Sequence, residues 1–262
     1  MTISLLLSTY NYPDALKFSM LSILDQTRKP DEIVIADDGS KDDTRELIEQ
    51  LRPLMPCEVK HVWHEDNGFR RTVILNKAMA VCTCDYIIQV DGDIVMERHF
   101  IADHIRYAER GYFLCGSRSR VTKEYSERLY RGDTRKFSFW HPGLFDRMNA
   151  LRCSLLTPFF MNYNHLRGCN MSFWRDDVYQ INGYDETIQS YGYEDEDLQN
   201  RLIRIGKKKR FIKFMCIEYH LYHDEDPTKK DLKETRKLID KNNEMGLVRS
   251  PIGIAEKMNK TA

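Results

Sequence analysis

The sequence has no excess of charge of either sign. Its 262 residues include 40 lysines and arginines and 40 aspartates and glutamates, so the formal net charge is zero. A balanced composition gives no electrostatic argument for a nucleic-acid partner, because such partners are bound by basic surfaces. Long apolar runs are also missing, since no stretch approaches the roughly 18 consecutive apolar residues that a membrane-spanning helix needs. We therefore expect no nucleic acid as a partner and no transmembrane helix.

Cysteine occurs in an odd number and without the spacing of a metal or redox site. The seven cysteines include no CxxC pair, which favours reduced structural thiols over disulfides or a zinc site. The first residues, TISLLLSTYN, lack the charged region and cleavage site of a secretory signal. We expect a soluble cytoplasmic protein, and peripheral attachment to a membrane stays open.

Strand-like and helix-like segments alternate through the first 117 residues. The predicted strands and helices, in chain order, are 3–8, 13–26, 32–37, 47–51, 58–63, 69–82 and 85–90. This alternation predicts an α/β fold with a doubly wound, mainly parallel sheet. The polar clusters STYN, ADDGS, EDNGFR and VDGD each follow a predicted strand. Because ligands bind beyond the carboxyl ends of such strands, we expect the four clusters to meet at one rim.

Two carboxylates follow the strand at 85–90, in the sequence VDGDIV. Asp91 and Asp93 offer hard oxygen ligands suited to Mn²⁺ or Mg²⁺, and Gly92 permits a tight turn with close approach of a ligand. A cation held there could bridge two phosphates of a nucleotide and neutralise a leaving diphosphate. A solvated turn at the end of a strand explains the same residues, so this DxD motif alone is a weak signal.

Two further clusters have both a functional and a structural explanation. One aspartate of ADDGS could accept hydrogen bonds from a uracil N–H or a ribose hydroxyl. A helix N-cap on Ser40 or Asp42 is the structural alternative, and both can hold at once. His220 and His223 follow the last predicted strand. One of them could bind the cation of the Asp-Gly-Asp segment, or both could be ordinary residues at a strand end.

Four consecutive acids open a predicted helix in YGYEDEDLQNRL. Acids in a first turn interact favourably with the helix dipole, which is sufficient to explain them. However, Tyr191 and Tyr193 lead directly into the acids and could stack on a sugar. A carboxylate at this position could deprotonate an acceptor hydroxyl.

Taken in order along the chain, these motifs resemble family 2 glycosyltransferases of the GT-A fold. ISLLLSTYNYPDALKFSMLSILDQT with EIVIADDGSKDDT is similar to that family's nucleotide-binding segment, and NGFRRTVILNKAMAVCTCDYIIQVDGDIV is similar to its diphosphate and metal segment. GCNMSFWRDDVYQINGYDETIQSYGYEDEDLQNRL resembles a region shared by β-1,4-galactosyltransferases and bacterial chondroitin polymerase. The resemblance implies a single Rossmann-like GT-A domain with four segments: a nucleotide-sugar-binding half (1–117), a variable excursion facing the acceptor or a membrane (118–166), an acceptor and catalytic half (167–225) and a helical tail (226–262).

The same resemblance implies a role for each matching residue. The donor would be bound by Thr9, Tyr10, Asn11, Asp38, Asn67, Gly68, Arg70, Arg71, Lys77, Asp91 and Gly92. A metal would be held by Asp93 with His220 or His223, Asp195 would be the general base, and Glu194 would hold a sugar. The implied acceptor contacts are Asn170, Trp174, Tyr191 and Tyr193. The family often has tryptophan at the place of Tyr191, so the identity of the donor sugar cannot be carried over.

The implied function is metal-dependent, inverting transfer of a hexosyl or N-acetylhexosaminyl group from a UDP-sugar to a glycan or lipid-linked glycan, in bacterial surface polysaccharide synthesis. A haloacid-dehalogenase-type phosphatase would need DxDGT, whereas here the glycine lies between the acids and Ile94 follows. A nucleotidyltransferase would need an early glycine-rich loop, which LLLSTYNYPDA lacks. A non-catalytic domain that binds sugar nucleotide or glycan is the remaining alternative, although it would not need both DGD and EDED.

Overall fold

Parallel strands form the centre of the structure. The computed structural model describes residues 1–133, 136–163, 168–190, 192–224 and 232–258. The strands are β1 (Ile3–Thr9), β2 (Glu32–Asp37), β3 (Glu58–Trp63), β4 (Tyr86–Asp91), β5 (Ile94–Met96), β6 (Tyr112–Cys115), β7 (Ser117–Arg120), β8 (Asn170–Trp174), β9 (Lys208–Phe211) and β10 (Ile217–His220). The α-helices are α1 (Pro13–Leu24), α2 (Asp42–Leu51), α3 (Arg71–Val81), α4 (Phe100–Tyr107), α5 (Lys123–Tyr130), α6 (Arg175–Gln180), α7 (Glu194–Arg204), α8 (Lys233–Glu244) and α9 (Ala255–Met258). Short 3-10 helices occupy Arg52–Leu54, Arg147–Ala150 and Thr157–Phe160.

The larger sheet has the strand order β3-β2-β1-β4-β8-β6-β9 within the described residues. Strands β1 to β4 run parallel, whereas β8 runs antiparallel to both β4 and β6. The loops that follow the four parallel strands consequently lie along one rim. The predicted α/β class with a mainly parallel, doubly wound sheet is confirmed.

Helices cover both faces of this sheet. Successive side chains of β1 point to opposite faces, so β1 contributes to a separate core on each side. Leu5 and Leu7 pack into one core with Leu16 of α1, and Leu6 packs into the other core with Leu75 of α3. All five side chains are fully buried, and each contributes about 1.5–3 kcal/mol relative to an exposed position. The two cores give the loops at the rim a rigid base.

A second sheet, of order β5-β10-β7, was not predicted. Strand β10 pairs antiparallel with β5, with His220 opposite Ile94, and parallel with β7. These strands have three or four residues each, which is too short for a periodic pattern to identify them. Their pairing carries His220 to the end of the Asp-Gly-Asp segment, because Asp93 directly precedes Ile94.

The helix boundaries differ from the predictions where the sequence pattern is weak. Helix α1 ends at Leu24 rather than at residue 26, and α2 begins at Asp42 rather than at residue 47. The excursion at 118–166 contains α5 and two of the 3-10 helices. In the predicted helical tail (226–262), α8 occupies Lys233–Glu244 and α9 occupies Ala255–Met258, and residues 226–231 and 259–262 lie outside the described residues. In the part of the chain that the structure describes, no helix combines the length and apolar character needed to span a bilayer.

Candidate active site

The loops at the carboxyl ends of the four parallel strands surround a cleft of about 400 Å³. Its lining residues are Ser8, Thr9, Tyr10, Tyr12, Ala36, Asp38, Gly68, Phe69, Arg71, Ile74, Asp91, Gly92 and Asp93. All four polar clusters that the sequence predicts at one rim contribute to this lining. A second cavity of about 670 Å³ shares Tyr10, Tyr12 and Asp93 with the cleft.

Asp38 lies at one end of the cleft, and both of its carboxylate oxygens have partners. Oδ1 lies 2.7 Å from His64 Nε2, and Oδ2 accepts a hydrogen bond from the Arg70 backbone N–H at 3.1 Å. Lys77 lies behind this pair, with Nζ 3.3 Å from His64 Nδ1. The cleft therefore contains a carboxylate of fixed orientation, while Lys77 supports it from outside the lining.

The loop after β1 is joined to the loop after β2 through Asn11. The Asn11 backbone N–H donates to Ser40 Oγ at 2.8 Å, and Asn11 Oδ1 accepts from the Lys41 N–H at 3.0 Å. Asn11 has a φ of +46°, a left-handed conformation in which asparagine is enriched. The alternative of an N-cap on Ser40 or Asp42 is wrong, because α2 begins after Lys41 without a side-chain cap.

The predicted diphosphate contacts do not all face the cleft. Arg71 begins α3 and lines the cleft, where its Nη1 donates to Ser8 Oγ at 2.7 Å. The Arg70 side chain instead donates from Nη2 to the Glu65 carbonyl at 2.6 Å. Asn67 is exposed and lines a neighbouring depression of the surface. Arg71 thus belongs to the cleft, whereas Arg70 supports the loop beside it.

Asp91 and Arg71 form an ion pair in the lining of the cleft. Asp91 Oδ1 lies 2.6 Å from Arg71 Nη2 and accepts a hydrogen bond from Ser8 Oγ at 2.8 Å. Burial raises the pKa of Asp91, but the charge and hydrogen bonds of Arg71 and Ser8 outweigh it, so the pKa lies below its ordinary value. Glycine is required at position 92, because a Cβ on Gly92 would lie 2.9 Å from the Ser8 carbonyl oxygen.

Asp93, His220 and His223 form a cluster that we call the Asp93 corner. His220 Nε2 and His223 Nε2 each lie 3.5 Å from Asp93 Oδ2, and the three potential ligand atoms lie within 4.8 Å of one another. Asp93 Oδ1 is buried and has no hydrogen-bond partner among the described residues. Burial lowers the pKa of His220, with Asp93 opposing the shift, which favours the neutral, metal-binding imidazole. This donor set fits a divalent cation, and both histidines stand equally close.

The acidic turn at the start of α7 follows two residues with left-handed backbone. Gly192 has a φ of +96° and Tyr193 a φ of +65°, and the latter is a strained conformation for a bulky residue. Glu194 points inward and is 5% exposed. Its Oε1 lies 3.5 Å from Arg71 Nε, and its Oε2 has no hydrogen-bond partner in the described part of the chain. Burial raises the pKa of Glu194, and Arg71 opposes this rise.

Asp195, Tyr184 and Gly168 form a second cluster, the Asp195 corner. Asp195 Oδ1 accepts a hydrogen bond from the buried Tyr184 hydroxyl at 3.0 Å. Oδ2 packs so closely on Gly168 that a Cβ there would lie 1.6 Å away, so a glycine is required. Burial, reinforced by repulsion from Glu194 and opposed by Arg71, raises the pKa of Asp195 to about 7. A carboxyl with this pKa can exchange a proton near neutral pH.

Two of the predicted acceptor contacts are corrected by the structure. Asn170 is fully buried, and its carboxamide bonds a histidine ring and two backbone carbonyls. Trp174 ends β8, which is antiparallel to β4, and lies opposite Tyr86 at the start of β4. The rim lies at the other end of β4, so at about 3.3 Å per residue Trp174 is roughly 15 Å away from it. The Tyr193 ring is approached by an arginine guanidinium of α8, 5.3 Å from its centroid. Tyr191 lies outside the described residues.

The sequence patterns missed a buried polar cluster beside the cleft. Glu218 of β10 is fully buried and accepts a hydrogen bond from Cys169 Sγ at 3.1 Å. Arg118 of β7 approaches the same thiol, with Nη1 3.7 Å from Sγ. Glu218 and His220 lie two residues apart and therefore on the same face of β10. The spacing in EYH could thus have indicated that Glu218 lies on the same side of the strand as the candidate metal ligand His220. Arg118 had no such signal, because its strand was not recognised.

The two parts of this site correspond to two known families. Residues 4–170 match the family described as Glycosyl transferase family 2, and the chain belongs to that family. Residues 156–224 match a second description, N-terminal domain of galactosyltransferase. The first match includes the cleft and the Asp-Gly-Asp segment, and the second includes the acidic turn and both histidines. The resemblance inferred from the motifs is confirmed.

Individual proteins of known sequence and structure agree with this assignment. The hyaluronan synthase of Pasteurella multocida is 21% identical in an alignment of 275 positions, which covers 95% of this chain and 27% of that protein. The chondroitin synthase of Escherichia coli is 24% identical in an alignment of 266 positions, which covers 92% of this chain and 37% of that protein. The chain therefore spans well under half the length of either relative.

Solved structures share the fold at low sequence identity. Residues 1–349 of Staphylococcus aureus TarS in complex with UDP-GlcNAc have a TM-score of 0.66 at 15% identity, covering 98% of this chain and 69% of that one. The mannosyltransferase PcManGT of Pyrobaculum calidifontis, in complex with GDP-Man and Mn²⁺, has a TM-score of 0.54 at 16% identity, covering 83% and 56%. These likenesses establish the GT-A fold.

Proposed function

We propose that this protein is a metal-dependent, inverting glycosyltransferase that transfers a hexosyl or N-acetylhexosaminyl group from a UDP-sugar to a hydroxyl of a glycan or lipid-linked glycan. The observation that carries the proposal is the position of Arg71 between Asp91, two residues before Asp93, and Glu194, the residue before Asp195. Asp93, with the candidate cation site, lines the cleft, and Asp195, whose pKa is raised to about 7, directly follows Glu194. A UDP-sugar is supported by the TarS fragment of the same fold, which is in complex with UDP-GlcNAc.

The donor nucleoside would bind at the Asp38 end of the cleft. The carboxylate of Asp38 is held from two sides, so its remaining lone pairs have a fixed direction toward a uracil N–H or a ribose hydroxyl. Thr9 and Tyr10 line the same end, and Tyr10 is 51% exposed. The diphosphate would lie toward Gly92 and Asp93, in the part of the cleft next to the proposed cation site.

Asp93, His220 and His223 would hold the divalent cation. When bound there, such an ion neutralises negative charge on the leaving diphosphate. Asp93 Oδ1, for which the described residues provide no hydrogen-bond partner, supports this role, because a buried carboxylate oxygen needs a compensating partner. Two imidazoles favour Mn²⁺ over Mg²⁺, which binds oxygen ligands almost exclusively.

Asp195 would act as the general base of a single displacement. It removes the proton of the acceptor hydroxyl while that oxygen forms a bond to the anomeric carbon of the donor sugar. The bond between the anomeric carbon and the diphosphate breaks, UDP leaves with the electron pair, and the proton remains on Asp195. Attack from the side opposite to the leaving group inverts the anomeric configuration. Glu194, whose buried Oε2 has no hydrogen-bond partner in the part of the chain that is described, would hold a hydroxyl of one of the two sugars.

We place the reaction in bacterial surface polysaccharide synthesis, at the cytoplasmic face of a membrane. Exposed apolar side chains in the excursion support peripheral attachment: Trp140 is 81% exposed, Leu155 83% and Phe159 80%. Arg147 is exposed in the same segment and adds the positive charge that anionic lipids attract. Replacing the three apolar residues with serine should abolish co-sedimentation with anionic vesicles but leave activity on a water-soluble acceptor unchanged. Unchanged co-sedimentation would contradict the attachment.

A screen of UDP-sugars for metal-dependent release of UDP tests the function itself. We expect one or a few UDP-sugars to react with Mn²⁺, no reaction with EDTA, and faster release when the matching glycan acceptor is added. Proton NMR of the product should show the inverted anomeric configuration. Retention of configuration would contradict the single displacement. Binding of UDP without turnover on any donor would favour a non-catalytic sugar-nucleotide-binding domain.

A further inference from the structure

Behind Asp195 lies a chain of hydrogen bonds that the donor site and the Asp93 corner do not use. Tyr184 and Gln89 are both fully buried. The Tyr184 hydroxyl lies 3.0 Å from Asp195 Oδ1, and Gln89 Nε2 lies 2.9 Å from that hydroxyl. Gln89 Nε2 also donates to the Gly168 carbonyl at 3.1 Å. The chain thus runs from the backbone at Gly168 through two side chains to Asp195.

The Gly168 carbonyl determines the direction of these hydrogen bonds. A carbonyl can only accept, so the Gln89 carboxamide must turn its NH₂ group toward Gly168, and its second N–H then faces the Tyr184 oxygen. The hydrogen of the Tyr184 hydroxyl has two acceptors in range, Gln89 Oε1 at 3.1 Å and Asp195 Oδ1 at 3.0 Å. An ionised carboxylate is the stronger acceptor. The tyrosine therefore donates to Asp195.

The two oxygens of Asp195 consequently differ. Oδ1 is occupied by the Tyr184 hydroxyl, whereas Oδ2 lies against the backbone of Gly168. We propose that Tyr184, oriented by Gln89, is a positioning residue that fixes Oδ2 for the acceptor proton and stabilises the ionised form of Asp195. This inference rests on the proposed role of Asp195 as the general base.

The charge of Asp195 is influenced from each neighbouring element. Glu194 in α7 and Asp91 in β4 disfavour its ionised form, whereas Arg71 in α3 and the Tyr184 hydroxyl favour it. Tyr184→Phe removes one of the two favourable contributions and leaves the other groups in place. Ionisation of Asp195 should therefore require a higher pH in this variant.

The test compares Tyr184→Phe with a matched control, Tyr86→Phe. The Tyr86 hydroxyl is equally buried and lies 2.8 Å from Ser172 Oγ, remote from Asp195. We expect Tyr184→Phe to lower kcat by about 10–100-fold, as loss of a hydrogen bond to a charged group does, with an unchanged KM for the UDP-sugar. The acid limb of its kcat–pH profile should move to higher pH. Gln89→Met should change both quantities in the same direction by less, and Tyr86→Phe should change neither.

A measurement that does not need turnover separates this inference from the proposed function. Carbon-13 NMR can follow the carboxyl of Asp195, identified through Asp195→Asn, in wild type and in Tyr184→Phe. A higher titration midpoint in Tyr184→Phe supports the positioning role. An unchanged midpoint, or a kcat no lower than that of Tyr86→Phe, overturns it. Wild-type turnover by Asp195→Asn would instead overturn the proposed general base, so the two failures can be distinguished.

Discussion

The Asp195 corner and the Asp93 corner differ in how their carboxylates are satisfied. At Asp195, Oδ1 receives the Tyr184 hydroxyl and Oδ2 packs against Gly168. At Asp93, Oδ1 has no partner among the described residues, and the nearest histidine nitrogens are 3.5 Å from Oδ2. Neighbouring groups of the protein orient the Asp195 carboxylate. The Asp93 carboxylate instead lies beside two imidazoles, which are cation ligands like itself. Substitutions at the two corners should therefore impair different steps.

The largest effect is expected from Asp195→Asn. Amide nitrogen and oxygen cannot take the proton of an acceptor hydroxyl, so kcat should fall by about 10²–10⁴-fold, the usual contribution of general-base catalysis. Mn²⁺-dependent binding of UDP, measured by calorimetry, should be unchanged because the Asp93 corner is intact. A variant that keeps most of its turnover would remove Asp195 from the mechanism.

Substitution of Asp93 should impair binding instead. Asp93→Ala removes the single carboxylate of that corner. Loss of a group that only hydrogen-bonds a metal ligand lowers metal affinity by about 10–100-fold. We expect the Mn²⁺-dependent affinity for UDP to fall by at least this factor. His220→Ala and His223→Ala should each weaken binding as well, since both imidazoles lie at the same distance from Asp93. If one histidine variant binds Mn²⁺ normally, that histidine is not a ligand.

The pH dependence of kcat follows from the raised pKa of Asp195. Burial raises this pKa to about 7, and the base must be ionised, so activity is lost as pH falls through the pKa. Below about pH 7, kcat should decrease by roughly tenfold per pH unit. The residual activity of Asp195→Asn should lack this limb. A wild-type acid limb near pH 4, the ordinary range of an aspartate, would show that burial and Glu194 do not raise the pKa of Asp195.

The smallest effect is expected from Glu194→Gln, on stability. Burial raises the pKa of Glu194, so the folded protein binds the carboxyl proton more tightly than the unfolded chain does. The free energy of unfolding therefore decreases as pH rises and Glu194 ionises. Glutamine mimics the protonated form. We expect the Tm to increase by about 2–4 °C for each kcal/mol of relief, more at pH 8 than at pH 5. The exposed Glu58→Gln is the control, and an equal shift there would contradict the burial argument.

The residues at the ends of the parallel strands were predictable from the sequence. Asp38, Asp91 and Asp93 each follow an apolar run, and a rule of sheet geometry places such residues on one rim. The acidic turn could also be recognised, because four consecutive acids at a helix start are unusual. In these cases a local pattern and the topology of the sheet were sufficient.

The partners of those residues were not predictable, because they are distant in sequence and have no periodic pattern. Tyr184 meets Gln89 across 95 residues, and Arg71 meets Glu194 through α3 and α7. The error at Trp174 has a related cause. The apolar run NMSFW indicates a strand but carries no information about its direction, and the antiparallel pairing of β8 with β4 moves Trp174 away from the rim.

Anomalous diffraction from crystals soaked with MnCl₂ and UDP tests the division between the two corners most directly. We predict one manganese peak within ligand distance of Asp93, His220 and His223, with the diphosphate of UDP on its open side and no peak at Asp195. A manganese ion bound by Asp195 or Glu194, with the histidines unligated, would contradict the account.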